Sequence, residues 1–335
     1  HDYIERHTLG WALLRERALL WNPERTATVC GITAAQVRDL ARAYGTTKPA
    51  AIRLNYGVQR CAGGGNAVRA IACLPALTGA WRHRAGGVLL SSSGAFPVDR
   101  AALQRPDLLA GRAPRTINMV RIGDALNGDA DALSGGPPIE ALVVYNSNPV
   151  AVAPESPKVV RGFARDDLFT VVLEHFRTDT ADHADIVLPA TTQLEHWDIH
   201  LAYGHTDVLL NRPAIAPRGE ARSNAQIFRD LAAHMARHDA AFAAPHFATS
   251  DEDLCRAMDA NQVNFETLLA QGFAVLDLPD APFAHGGFAT PSGQCEFYSA
   301  ALEKQGINPL PDYLPNYEQP TAAHPLAMIS PPARN

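Results

Sequence analysis

ALVVYNSNPVAVAP (residues 141–154) and DLFTVVLEHFRTDTADHADIVLPATTQLEH (residues 167–196) decide the fold. Together they read as strand, turn, helix, strand, polar turn, short helix and a third apolar segment at 186–188. The two strands end in residues that strand packing does not need. After Ala141–Tyr145 come Asn146, Ser147, Asn148 and Pro149; after Leu168–Leu173 come Glu174, His175, Thr178, Asp179 and Thr180. In open parallel sheets, ligands bind at the carboxyl ends of the strands. Two such ends in successive units make one polar rim. The fold class expected is therefore α/β, with Rossmann-like domains built on parallel-sheet cores.

Working outward, 335 residues suffice for two domains with well-buried cores. The 47% hydrophobic and 19% charged composition is that of a globular protein. A net charge of −6 without any basic block argues against a nucleic-acid partner. Nothing approaches eighteen consecutive apolar residues, so no membrane span is expected. The chain opens HDYIERHTLGW, with neither an initiator Met nor the apolar region of a signal peptide, and closes MISPPARN without a final helix. It reads as a central fragment. The five cysteines, Cys30, Cys61, Cys73, Cys255 and Cys295, are scattered and form no C-x-x-C pair. They read as free thiols in a reducing compartment, and neither zinc nor an iron–sulfur cluster is expected from this chain alone.

Upstream, a helix is expected from Thr33, its N-cap, to Tyr44, with Gly45 stopping it. A strand at Ala50–Leu54 leads through Asn55–Arg60 to Gly63-Gly64-Gly65 and a helix over about 66–79. Strand, glycine-rich loop and helix can present backbone N–H groups to an anion. The loop is neither G-x-G-x-x-G nor a P-loop, so a plain tight connection remains open beside ligand binding. Residues 82–118 show no period; they form either a ligand loop around Gly86-Gly87 and Ser91–Gly94 or a flexible crossing. Domains are expected at 1–110 and 111–325, with 326–335 opening a truncated third. Further on lie a strand at Val208–Leu210 and a proline-marked segment over 211–220. A helix over 224–237 follows, capped by Ser223 and striped by Ile227, Leu231 and Met235. Two short helices are expected near 250–260 and 263–271. A turn at 290–293 leads into a strand ending near Tyr298.

Thirteen histidines invite a test for clusters. Glu195-His196 with His200 has the wrong order for a zincin helix. Glu174-His175 could be an acid–base pair or could hydrogen-bond a sugar or base. Asp185 is either a turn carboxylate or a site residue. No G-x-S-x-G is present. The residues alone point to a nucleotide-like ligand across two loop rims, with no catalytic centre.

Three stretches carry a resemblance. Gly57-Val-Gln-Arg60 with 64–71 and 74–79, the Asn-Pro turn at 145–149, and 178–189 with Glu195 and 213–220 together resemble the molybdopterin oxidoreductase family. Formate dehydrogenases, periplasmic nitrate reductases and dimethyl sulfoxide reductases belong to it. The resemblance implies molybdenum or tungsten held by two molybdopterin guanine dinucleotides, in a four-domain enzyme to which this chain would supply parts of the two central domains. It implies nucleotide contacts at Glu174 and Thr178, near His205, and at Asn224, with Asn146 and Asn148 shaping the rim. Contacts to the other pterin would fall at Tyr56, Gln59 and Gly94. The [4Fe–4S] cluster, the protein ligand to the metal and any export signal would lie upstream, so neither a catalytic residue nor a metal ligand is expected here. The function implied is two-electron redox chemistry of anaerobic respiration, such as formate oxidation or reduction of a nitrogen or sulfur oxyanion, on a small-molecule substrate and with an Fe–S electron-transfer subunit as partner. The fragment alone would be inactive. The alternative is a noncatalytic relative like that in complex I, which keeps the fold without the metal. A nucleotide-dependent dehydrogenase is disfavoured by the missing G-x-G-x-x-G.

Overall fold

A computed structural model describes residues 2–96, 98–258, 263–316 and 319–328. They fall into two compact units, His1–Ser92 with Asp277–Asn335, and Ser93–Leu276. This partition is not the linear one expected from sequence: residues 277–325 pack with the first unit, because their aromatic residues complete its core. The opening of a third domain, expected at 326–335, falls almost wholly outside the described residues.

In the first unit, α1 (Asp2–His7) leads into β1 (Thr8–Leu9), then α2 (Trp11–Leu19), α3 (Pro23–Cys30) and α4 (Ala34–Thr46). Thr33 caps α4 in a capping box: its hydroxyl accepts from Gln36 N–H, and the Gln36 side chain accepts from Thr33 N–H. Gly45 does not stop this helix. It runs on to Thr46, and Thr47 turns extended ahead of Lys48-Pro49, as the steric demand of a nearby proline favours. β2 (Ala51–Arg53) pairs in parallel with β3 (Gly87–Leu89), a strand inside the stretch that shows no sequence period. Between them lies α5 (Gly64–Thr78), ended by Gly79 at φ +70°. β10 (Cys295–Glu296) pairs in parallel with β1. It brings Phe297 into a core with Tyr3, Leu14, Cys73, Ala76 and Leu310. The Tyr3 hydroxyl, otherwise buried, donates to the Phe283 carbonyl at 2.6 Å. A short helix α13 (Ala300–Glu303) follows the strand.

The second unit opens with α6 (Arg100–Gln104) and α7 (Ile122–Leu126). Its centre is a three-stranded parallel sheet, β4 (Ala141–Tyr145), β5 (Phe169–Glu174) and β6 (Ile186–Pro189), in that order. α8 (Pro149–Val152) and α9 (Ser156–Phe163) cross from β4 to β5. Leu126, Val144, Val150, Val159, Phe163, Leu168 and Val172 close one face of the sheet. At about 1.5–3 kcal/mol per fully buried aliphatic side chain, this cluster is the main cohesion of the unit. At the amino end of the strands, Asp185 Oδ2 accepts from Thr170 N–H at 2.7 Å, which makes Asp185 a turn carboxylate.

Beyond β6 the chain makes a second, antiparallel sheet: β7 (Asp198–His200), β8 (Asp207–Asn211) and β9 (Phe273–Val275). α10 (Asn224–Met235), α11 (Asp251–Ala257) and α12 (Phe265–Gln271) lie between β8 and β9. Ser223 caps α10 as expected. Of its apolar stripe only Ile227 is buried; Leu231 and Met235 stay exposed. No described helix is long and apolar enough to cross a membrane.

Candidate functional site

The register sets Tyr145 opposite Leu173 and Glu174 opposite Pro189, so the three parallel strands end level. Leaving β4, Asn146 adopts a left-handed conformation at φ +53°, which an Asn tolerates better than most side chains. Its Oδ1 accepts from Asn224 Nδ2 at 3.3 Å. Asn224 arrives there because residues beyond β6 extend the sheet: Arg222 N–H donates to the Pro189 carbonyl, Thr191 N–H donates to the Arg222 carbonyl, and α10 begins two residues later. The first turn of α10 thus stands beside the strand ends. Asn224 Oδ1 is buried and has no hydrogen-bond partner among the described residues, a condition native structures rarely leave unanswered.

Glu174, at the end of β5, accepts from His175 N–H through Oε1 at 2.8 Å; among the described residues its other oxygen has no donor. The His175 ring turns to the Thr191 carbonyl instead, 2.8 Å from Nε2. Glu174 and His175 therefore do not act as a side-chain pair. The Thr178 hydroxyl accepts from Ala181 N–H at 3.3 Å and folds its own turn.

Asn148 is engaged inward. Its Oδ1 accepts from both the N–H (3.1 Å) and the hydroxyl (2.7 Å) of Thr180, and its Nδ2 donates to Asp179 at 3.1 Å. Glu195 is also structural. Buried on the loop after β6, it accepts from Thr192 N–H, the Thr192 hydroxyl and Arg218 N–H at 2.7–2.9 Å. The Thr192 backbone N–H first, then that of Arg218, hold its carboxyl below the usual carboxylate range. It ties the proline-marked segment to the strand-end loop. The T-x-x-E spacing of 192–195 is that of a capping box, the signal by which sequence could have found it.

The remaining candidates lie elsewhere. His205 sits in the β7–β8 hairpin, where its Nδ1 accepts from Asp207 N–H at 3.1 Å. Gly94 lies on a 3₁₀ turn with open space where a side chain would stand. Tyr56 and Gln59 belong to the first unit, on the 3₁₀ turn after β2. The glycine loop beside them is filled by the protein itself. A Cβ on Gly63 would lie 2.8 Å from the Leu314 carbonyl, and one on Gly64 would lie 2.6 Å from that of Val58. Only Gly65 faces open space. A mostly apolar groove with about 810 Å³ of free volume opens nearby, lined by Trp11, Trp21, Ile71, Leu74 and Leu77. Among the described residues, no group of three or more His, Cys, Asp or Glu could hold a metal ion.

Comparison with known proteins gives these strand ends a context. A family model described as molybdopterin oxidoreductase matches residues 9–234. The chain is 40% identical to a probable oxidoreductase, YoaE, of Bacillus subtilis (strain 168), over 94% of its own length and 46% of that protein's. It is 29% identical to the dimethyl sulfoxide reductase DmsA of Haemophilus influenzae, over 88% of this chain and 41% of the relative. In three dimensions it resembles the acetylene hydratase of Pelobacter acetylenicus, with a TM-score of 0.69 and 22% identity, over 95% of this chain and 47% of the other. The last likeness speaks for the fold alone. The chain spans about half the length of the curated relatives it matches.

Proposed function

This chain belongs to the molybdopterin oxidoreductase family, and from that premise we propose that its strand ends hold the nucleotide end of a pterin guanine dinucleotide in a two-electron oxidoreductase. One observation carries the reading: the buried, unpartnered Asn224 Oδ1 stands beside Asn146, at the same strand ends as the free oxygen of Glu174. Both are acceptors waiting for donors. A guanine offers a ring N–H and an exocyclic amino group, and a ribose offers two hydroxyls. The donor set of such a nucleotide therefore fits the acceptors present.

In this reading Glu174 and Asn224 accept from base and sugar, Asn146 orients Asn224, and Thr178 fixes the turn between them. Bound as a pair, such pterins hold molybdenum or tungsten, which supplies a two-electron couple; the protein supplies binding, orientation and electrostatics. Contacts to the second pterin at Tyr56, Gln59 and Gly94, and the nucleotide contact near His205, rest on the sequence resemblance. The same holds for an upstream [4Fe–4S] cluster and an Fe–S partner subunit. The relatives named above bear the names of enzymes, which favours the catalytic reading over the noncatalytic one. The dimethyl sulfoxide reductase among them favours an organic sulfoxide over formate as substrate.

The test uses the full-length protein. Glu174→Ala and Asn224→Ala are each expected to lose most of the molybdenum and acid-releasable guanine per polypeptide while melting at the wild-type temperature. Full occupancy in both variants would sink the reading.

A further inference from the structure

Asn148 and Asn146 are two residues apart on the same turn, yet they differ in what they leave free. The Asn148 carbonyl oxygen is filled by protein, with two donors from Thr180, and its Nδ2 donates to Asp179. Thr180 is wholly buried. Its hydroxyl donates to Asn148 and in turn accepts from Val150 N–H at 3.1 Å. Val150 lies in the first turn of α8, where backbone N–H groups have no intrahelical acceptor. The loop after β5 thus caps the helix after β4, and that helix's own N-cap residue, Asn148, accepts in return. Two turns that belong to different strands share one closed set of hydrogen bonds.

We propose that Asn148 and Thr180 are positioning residues: a latch centred on the buried Thr180 that fixes the turns after β4 and β5 against each other, and thereby sets Asn146 and Thr178 for the nucleotide. The proposal rests on the strand-end reading above and assigns Asn148 a place behind the rim, out of direct contact with the ligand. The hydrogen bonds centred on the buried Thr180 are strong only while complete, because each partner removed leaves another unsatisfied.

Thr170 supplies the control. It too is wholly buried, on β5, but its hydroxyl has no partner among the described residues. In the full-length protein, three quantities are measured for each variant: guanine released per folded polypeptide, melting temperature, and deuterium uptake of peptides covering 146–152 and 178–184. Thr180→Val is expected to lower guanine about tenfold, the size of a lost buried hydrogen bond, and to raise uptake in those two peptides. Thr180→Ser should restore both, and Thr170→Val should change neither. Val172→Ala, which opens a cavity in the same sheet, should lower the melting temperature but keep guanine on the folded fraction. The proposal is overturned if Thr180→Val keeps guanine and protection, if Thr180→Ser fails to restore them, or if Val172→Ala loses as much guanine. If Glu174→Ala and Asn224→Ala keep full guanine, the strand-end reading itself fails and takes the latch's role with it. If those two lose guanine while Thr180→Val does not, only the latch fails.

Discussion

Two loops of this molecule begin alike and end differently. After β2 the chain runs through a 3₁₀ turn to Gly63 and into α5, which opens with Gly64-Gly65; after β4 it runs through Asn146-Ser147-Asn148 into α8, which opens with Pro149. The first has the composition usually associated with a ligand cradle. Yet the space its glycines create is taken by Leu314 and by the Val58–Gln59 backbone. The second has side chains with ordinary turn propensities, and the unmet acceptors of Asn224 and Glu174 stand beside it. A glycine run reports a close approach of backbone to something, and that something can be the protein itself. An orphaned buried acceptor is the more specific sign of a ligand, because it costs free energy until a donor arrives.

Substitutions can break this contrast. Gly64→Ala should have the largest effect, a loss of about 2–3 kcal/mol in chemical denaturation, since its Cβ would meet backbone that cannot swing away. A wild-type midpoint would mean the loop is not packed as described. Gly65→Ala, one residue on and facing open space, should move the midpoint the other way by up to about 1 kcal/mol, the helix propensity gained.

The strand-end side is sharpened by pH. Glu195 has its carboxyl held below the usual range in the folded state. Its contribution to stability is therefore present above its unfolded value, 4.5, and is lost as pH falls from there through the lower folded value. Glu195→Gln should flatten the acid limb of the stability profile: stability falls near pH 7, where the carboxylate contributes, and converges on wild type in acid. An acid limb identical to wild type would remove Glu195 as the clasp. The smallest effect is chemical. Cys61, just ahead of the glycine loop, and Cys30 are exposed, whereas burial pushes the Cys73 and Cys255 thiols up to about 12. A thiol reagent at pH 8 should label Cys30 and Cys61 in the native chain and reach Cys73 and Cys255 only on unfolding.

Much of the sheet was legible in the sequence because its signals are local. Val171, Val172 and Leu173 form a continuous apolar run, as a strand covered by neighbours requires, and Thr33 and Ser223 announce their helices. β3 was not legible: three residues beginning with Gly87 carry no period. The pairing of β1 with β10 joins residues nearly the whole chain apart, and no local pattern encodes such a contact. At the rim, sequence put polar residues at the strand ends but could not divide them by role. Asn146 and Asn148 are the same residue type on one turn, and only the partners of each amide separate the one that faces outward from the one that locks the turns. On α10, Leu231 and Met235 match the helical spacing of Ile227 without sharing its burial.

The pairing of β1 with β10 has a consequence for synthesis. The first unit draws on both flanks of the chain, while the second is one uninterrupted stretch, residues 93–276. On a ribosome the inner stretch is complete before Cys295–Phe297 emerge, so it can fold as a self-contained insert while the outer unit still lacks its closing strand and Phe297. The order of assembly is written into the threading of the chain. The inner unit should be expressible by itself as a folded module, whereas residues 1–92 alone should not fold.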